Sequence, residues 1–193
     1  MDLQHVNFKL RIADAAEPDL APLIPVFHAW IQGQVFGDPL LDIADYRHVP
    51  AGPGIVLIGQ AGDYSVDQTD NRLGVRYNRK GPLEGTNQDR LRQAARAALT
   101  AAQRLEAEPG LNGQFRFNGR EIEVFINDRF LAPNNDSTRQ AAQPDLDAFF
   151  KQLFAGKEYS LSYGSDPRRL FAVSATAGQP FPVAELIANL GLA

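Results

Sequence analysis

The 193-residue sequence contains no cysteine. That excludes disulfide staples, thiol nucleophiles and every metal or cluster site built on sulfur ligands, and it accords with a reducing compartment, the cytoplasm. Long apolar runs are missing too: no stretch approaches the ~20 apolar residues that cross a membrane. The opening MDLQHVNFKLRIAD lacks the apolar segment of a secretory signal. There is no excess of positive charge either. The 19 Lys and Arg against 23 Asp and Glu give a net charge of −4, which offers nucleic acid no cationic footprint. The short basic groups Arg76, Arg79, Lys80 and Arg168, Arg169 lie beside turns and read as solvated strand ends. No nucleophile elbow, zinc-binding helix motif, phosphate loop or dinucleotide glycine pattern occurs, so no cofactor is expected.

What is present is an ordinary globular composition, 44% hydrophobic and 22% charged. A chain of this mass buries roughly 70% of its unfolded surface, enough for a core without staples, and a single domain over 1–193 is the simplest reading.

The patterns alternate between strand and helix periods. Val6, Phe8, Leu10 and Ile12 against Asn7, Lys9 and Arg11 mark a strand with one buried face. Glu17-Pro18-Asp19 reads as a helix start, with Leu20, Leu23, Ile24, Phe27 and Ile31 at helical spacing and Pro25 shifting or kinking the element. Leu40 to Tyr46 and Ile55 to Ile58 read as strands. A four-residue loop, Gln68 to Asn71, then sets Asp67 opposite Arg72, Tyr64 opposite Val75 and Asp63 opposite Arg76, placing opposite charges on one face and apolar pairs on the other. Thr86 and Asp89 form a capping box for a long helix with an alanine-rich stripe and a solvated arginine face. Asn118-Gly119 is a type I′ hairpin signal; it leaves Phe125 on the face opposite Ile122, Val124 and Ile126. Ala132 to Gln143 reads as a loop, Pro144-Asp145 as a helix start, Tyr159 to Tyr163 and Leu170 to Thr176 as a hairpin, and Val183 to Leu190 as a final helix. The expected fold is α+β: a largely antiparallel sheet built from three hairpins, with about four helices packed on it.

Candidate chemistry concentrates between Leu40 and Lys80. Asp42, Asp45 and His48 have metal-like spacing, yet a regular strand points Asp42 and Asp45 to opposite faces, so no metal is expected there. Asp45 and Arg47 share a face and can pair. In the same stretch, DYRHVPAGPG leading into VLIGQAGDYSVD and LGVRYNRK resembles a set of uncharacterised bacterial proteins. The resemblance implies a bacterial origin and supplies no activity, cofactor or catalytic residue.

Two functions are compatible with these residues. The first is a non-catalytic binding or scaffolding protein that self-associates into a homo-oligomer through an edge strand or an apolar patch including Phe125. The second is a hydrolase or transferase for a small polar substrate, with His48 as general base or ligand, Asp45 orienting it, Tyr46 or Tyr64 as donor, and His28 joining if the first helix approaches the same cleft. Neither a membrane nor nucleic acid is an expected partner.

Overall fold

The computed structural model describes residues 1–13 and 18–191. The expected start at Glu17 lies outside them. Among the described residues the strands are β1 (Val6–Ile12), β2 (Leu40–Tyr46), β3 (Gly54–Gly59), β4 (Gly62–Asp67), β5 (Gly74–Arg79), β6 (Phe117–Ile126), β7 (Tyr159–Tyr163) and β8 (Phe171–Ala177). The helices are α1 (Leu23–Gly33), α2 (Asn87–Ala107), α3 (Asp136–Leu153) and α4 (Val183–Asn189). All strands join one antiparallel sheet in the order β2-β3-β4-β5-β1-β6-β8-β7. The fold is α+β with helices on one face, and among the described residues no helix is long and apolar enough to cross a membrane.

The order has an internal logic. β1 and β6 lie side by side at the centre, and each begins the same excursion: a helix, then a meander whose last strand returns beside the first, then another helix. The first half runs β1, α1, β2 to β5, α2, with β5 against β1; the second runs β6, α3, β7, β8, α4, with β8 against β6.

Apolar residues at alternate strand positions select the helix face. Phe8, Leu10, Val66, Val75, Tyr77, Ile122, Val124 and Val173 are all buried there. Phe8 meets Phe149 of α3 edge-on at 6.3 Å, and Gln93 of α2 donates to the Tyr77 hydroxyl at 3.2 Å. The alanine stripe Ala94, Ala95, Ala98, Ala101 and Ala102 lets α2 lie close over β1 and β5. Its capping box is complete, with the Thr86 side chain accepting from the Asp89 N–H and the Asp89 side chain accepting from the Thr86 N–H. Burying each of the larger apolar side chains, the Val, Leu, Ile and Phe of this face, stabilises by about 1.5–3 kcal/mol relative to exposure.

Several expectations need correction. α1 begins after Pro22 rather than at Asp19. α3 starts at Asp136, two turns before Pro144: Asn135 caps it by accepting from the Thr138 N–H at 2.9 Å, and Pro144 sits on the solvent side, where water can satisfy the carbonyl its missing N–H leaves free. Asn118-Gly119 makes no hairpin. β6 runs on through it as a bulge: Ile122 pairs with Leu10 and Phe117 with Ile12, so three extra residues of β6 lie between the two pairs, and Gly119 takes φ +60° there. The β4–β5 loop spans Gln68 to Leu73, so Asp67 faces Gly74, Tyr64 faces Tyr77 and Asp63 faces Asn78. The slip is two residues and therefore keeps every side chain on its expected face. Arg90 of the presumed solvated helix face is 7% exposed, donating from Nε to the Leu83 carbonyl at 2.7 Å.

Candidate functional site: a charged cleft on the helix-free face

The side chains opposite the helices form rows across the sheet. One row reads Val56, Ser65, Arg76, Lys9, Glu123, Ser174 and Ser162 from β3 to β7; the row beside it reads Asp63, Asn78, Asn7, Phe125 and Ala172. Alternation in β1 alone makes Asn7 and Lys9 solvent-facing. The structure instead buries both, at 0% and 1% exposure. Their cover consists of long side chains from neighbouring strands: the Arg76 guanidinium lies 4.6 Å above the Phe125 ring.

Beneath this cover lies a charge network. Lys9 Nζ meets Asp67 at 2.5 Å, with both side chains almost fully buried, and the Asp67 carboxylate also accepts from the Thr69 N–H at 3.1 Å and the Thr69 hydroxyl at 2.9 Å. Arg76 reaches the same carboxylate only at 3.7 Å. Arg72 bridges Glu121 at 3.1 Å and Glu123 at 2.8 Å, and Arg11 pairs with Glu121. Burial pushes the Lys9 ammonium down from its ordinary value, opposed by Asp67, and burial likewise lowers Arg76, opposed by Asp67 and Glu123. Glu121 is held below the ordinary carboxyl value, because Arg11 and Arg72 together outweigh its partial burial.

Above the network opens a cleft of about 340 Å³. Its walls are the β4–β5 loop, carrying Asp70 and Arg72, and the segments around Arg129 and Arg169. Asp70 at φ +61° and Asn71 at φ +56° turn the first wall over the sheet, and Asp70 pairs with Arg169 across the gap. Pro133 bridges to Leu170 and Asn134 donates to the Asp166 carbonyl at 2.8 Å, fixing the second wall. Among the described residues the lining holds four arginines, Arg72, Arg76, Arg129 and Arg169, against two carboxylates, Asp70 and Glu123. Four against two leaves a cationic surplus of two in a chain whose net charge is −4. The Arg76 side chain is 17% exposed and its Nε is buried without a partner among the described residues. Arg76 and Arg169, assigned to solvated strand ends from the sequence, are thus lining groups of the cleft.

The residues proposed from sequence are not drawn together. The Asp45 carboxylate is gripped by Arg47 through Nε at 3.0 and 3.1 Å and Nη2 at 2.7 Å; Arg47, aided by His48, holds its pKa down to about 2. His48 lies exposed in the turn after β2, with its ring centroid 6.4 Å from that of Tyr46. Tyr64 faces the helices, between Phe36 at 4.4 Å and Tyr77 at 5.1 Å, and burial raises its phenol further above neutral pH. His28 is exposed on α1. Asp42 is committed locally, accepting from the Ile43 N–H at 2.8 Å, and among the described residues no three His, Asp or Glu converge as a metal site would require. Phe125 does lie opposite the helix face and is half-buried, as a floor of the cleft beneath Arg76.

The fold and cleft together define an α+β protein with an arginine-lined pocket on the uncovered face of its sheet. Comparison with protein-family models, curated proteins and solved structures finds no match in any of the three.

Proposed function

We propose that the protein is a non-catalytic binding protein, working in a bacterial cytoplasm, that receives a small organic dianion in this cleft. The observation that carries the reading is Arg76. A mostly buried guanidinium requires an anion or a full set of acceptors, and its nearest carboxylate is already engaged by Lys9 at 2.5 Å while Arg76 stands 3.7 Å away. Arg129 is exposed at the rim and forms no ion pair among the described residues. A phosphate or paired carboxylates between Arg76 and Arg129 would take up the surplus of two, with Phe125 offering a flat apolar face to the remainder of the ligand. The chemistry available is recognition: the carboxylates are neutralised by arginines, and among the described residues no histidine lines the cleft.

The test is thermal unfolding and calorimetry with phenyl phosphate, inorganic phosphate and phthalate. At about one hundred times Kd, a ligand specific for the native state stabilises by ~2.7 kcal/mol. Arg76→Gln should abolish that gain, and Phe125→Asp should remove the advantage of the aromatic compounds over inorganic phosphate. Failure of all three compounds to stabilise the wild-type protein would defeat the proposal, as would equal stabilisation of Arg76→Gln.

A further inference from the structure

The two strands that end the sheet are treated differently. β2 is guarded. The Gln34 side-chain amide occupies both backbone groups of Leu40, at 2.9 and 3.0 Å, and the Asp42 and Asp45 carboxylates accept from the Ile43 and Arg47 N–H groups at 2.8 and 3.0 Å. A register shift between Leu40 and Asp42 further bends the edge. Side-chain plugs, charge and bulges are the means by which sheets avoid pairing with other chains. β7 has none of them. Its sequence, Tyr159-Ser160-Leu161-Ser162-Tyr163, carries no charge and no proline, and its register with β8 is unbroken.

The free hydrogen-bonding groups of β7 can be assigned. Gly178 N–H donates to the Glu158 carbonyl at 2.9 Å, so by the alternation of an antiparallel ladder Ser160 and Ser162 bond inward to β8, and the backbone groups of Tyr159, Leu161 and Tyr163 point outward. Among the described residues, no side chain and no backbone outside the strand ladders takes those groups. The segment also reads identically in both directions.

We propose that β7 docks against β7 of a second copy of this chain, antiparallel about a twofold axis through Leu161, so that two sheets become one. In that register Tyr159 lies opposite Tyr163 of the partner subunit, Leu161 lies opposite its own copy, and every outward N–H and C=O is matched. A slip of two residues would leave a tyrosine and its backbone groups unpaired, so the palindrome itself specifies the alignment. Side chains agree with the backbone. Tyr159, Leu161 and Tyr163 are half-buried and face a groove of about 590 Å³ between β7 and α3, which the same residues of a second copy would fill. Arg139 lies 4.4 Å over the Tyr163 ring, and the Tyr159 hydroxyl donates to the Asp147 carbonyl at 3.2 Å. Setting Tyr163 opposite Tyr159 of the partner subunit therefore brings Arg139 beside the partner's Asp147, a complementary charge contact at each end. This pairing stands independently of the cleft and its ligand.

Ser160 and Ser162 are exposed on the helix-free face and become cross-strand neighbours in the proposed pairing. Sedimentation equilibrium on the full chain should give twice the 21.2 kDa protomer mass. The double variant S160K/S162K, which juxtaposes like charges, should run as a monomer, whereas S160K/S162E, which juxtaposes opposite charges across the same pairs, should remain a dimer. Circular dichroism and melting of both variants check that the protomer fold is retained. A wild type that stays at protomer mass up to the solubility limit overturns the proposal. So does S160K/S162K remaining dimeric, or the two charged variants dissociating alike.

Discussion

Removing Asp67 should harm the protein more than removing Lys9, although the two form one ion pair. Their side chains are 1% and 3% exposed and 2.5 Å apart, so substituting either one strips a buried charge of its partner. Such losses typically cost about 3–5 kcal/mol. The survivors, however, are left in different surroundings. Without Lys9, Asp67 keeps the Thr69 N–H and hydroxyl and gains Arg76 as its sole counter-ion. Without the Asp67 charge, Lys9 retains only the attraction of Glu123 across the strand and suffers the repulsion of Arg76. Asp67→Asn should therefore lie within the ~3–5 kcal/mol range, and Lys9→Met should cost about half as much. For a domain of this size ~1 kcal/mol corresponds to about 2–4 °C in Tm, so Asp67→Asn should melt roughly 6–20 °C lower. Urea unfolding of both single variants and of the double variant supplies the cycle. A reversed order would refute the argument, as would a double variant whose cost equals the sum of the single costs to within ~0.5 kcal/mol. The pair also bears on the cleft: in Lys9→Met, Arg76 is drawn onto Asp67 and affinity for phenyl phosphate should fall.

Two further outcomes follow from the geometry. Gly119→Ala should destabilise by about 2 kcal/mol or more in chemical denaturation, since its Cβ would lie 2.2 Å from the Phe181 carbonyl oxygen at a φ of +60°; a neutral result would mean that this strand position relaxes freely. Because Glu121 titrates below its ordinary 4.5 in the folded state, its contribution is fully present above that pH and is lost as acid protonates the folded group. Tm should accordingly fall as pH drops below 4.5, and Glu121→Gln should flatten that fall; an unchanged slope would show that other carboxylates dominate it.

Local structure was legible wherever the deciding interaction was itself local. β2 and β7 have the bounds their residue patterns imply, and the Thr86-Asp89 capping box starts α2 where the sequence places it. The expectation failed where a distant partner overrode a nearby signal. Asn118-Gly119 has the chemistry of a tight turn, but pairing with β1 on either side of it, at Phe117 and again from Ile122, turns it into a bulge within β6. The cleft was hidden for the same reason. Lys9, Asp67, Arg76 and Glu123 each occupy the polar stripe of an amphipathic strand, and a polar stripe reads identically whether water or other charged side chains cover it. The Lys9–Asp67 contact joins residues 58 positions apart, and only the pairing of β1 with both β5 and β6 brings these stripes together.

That burial bears on why the charges are there. A buried ion pair is a weak source of stability, since well-packed apolar side chains of similar volume commonly do as well or better. The helix face of the same strands shows that this chain readily supplies such residues: Phe8 and Leu10 flank Lys9 in β1, and Val75 and Tyr77 flank Arg76 in β5, all buried. Stability alone therefore does not account for Lys9 and Asp67. What the pair does achieve is positional. By engaging Asp67 at 2.5 Å, Lys9 leaves Arg76 with only a 3.7 Å contact to that carboxylate, stacked on Phe125 at the floor of the cleft. On the reading of a dianion-binding pocket, Lys9 keeps the carboxylate beneath Arg76 from neutralising the guanidinium that the ligand requires. Loss of Lys9 should consequently weaken anion binding more than a simple loss of one positive charge from the protein, and Lys80→Met, which removes a charge paired with Asp63 away from the cleft lining, is the matched control.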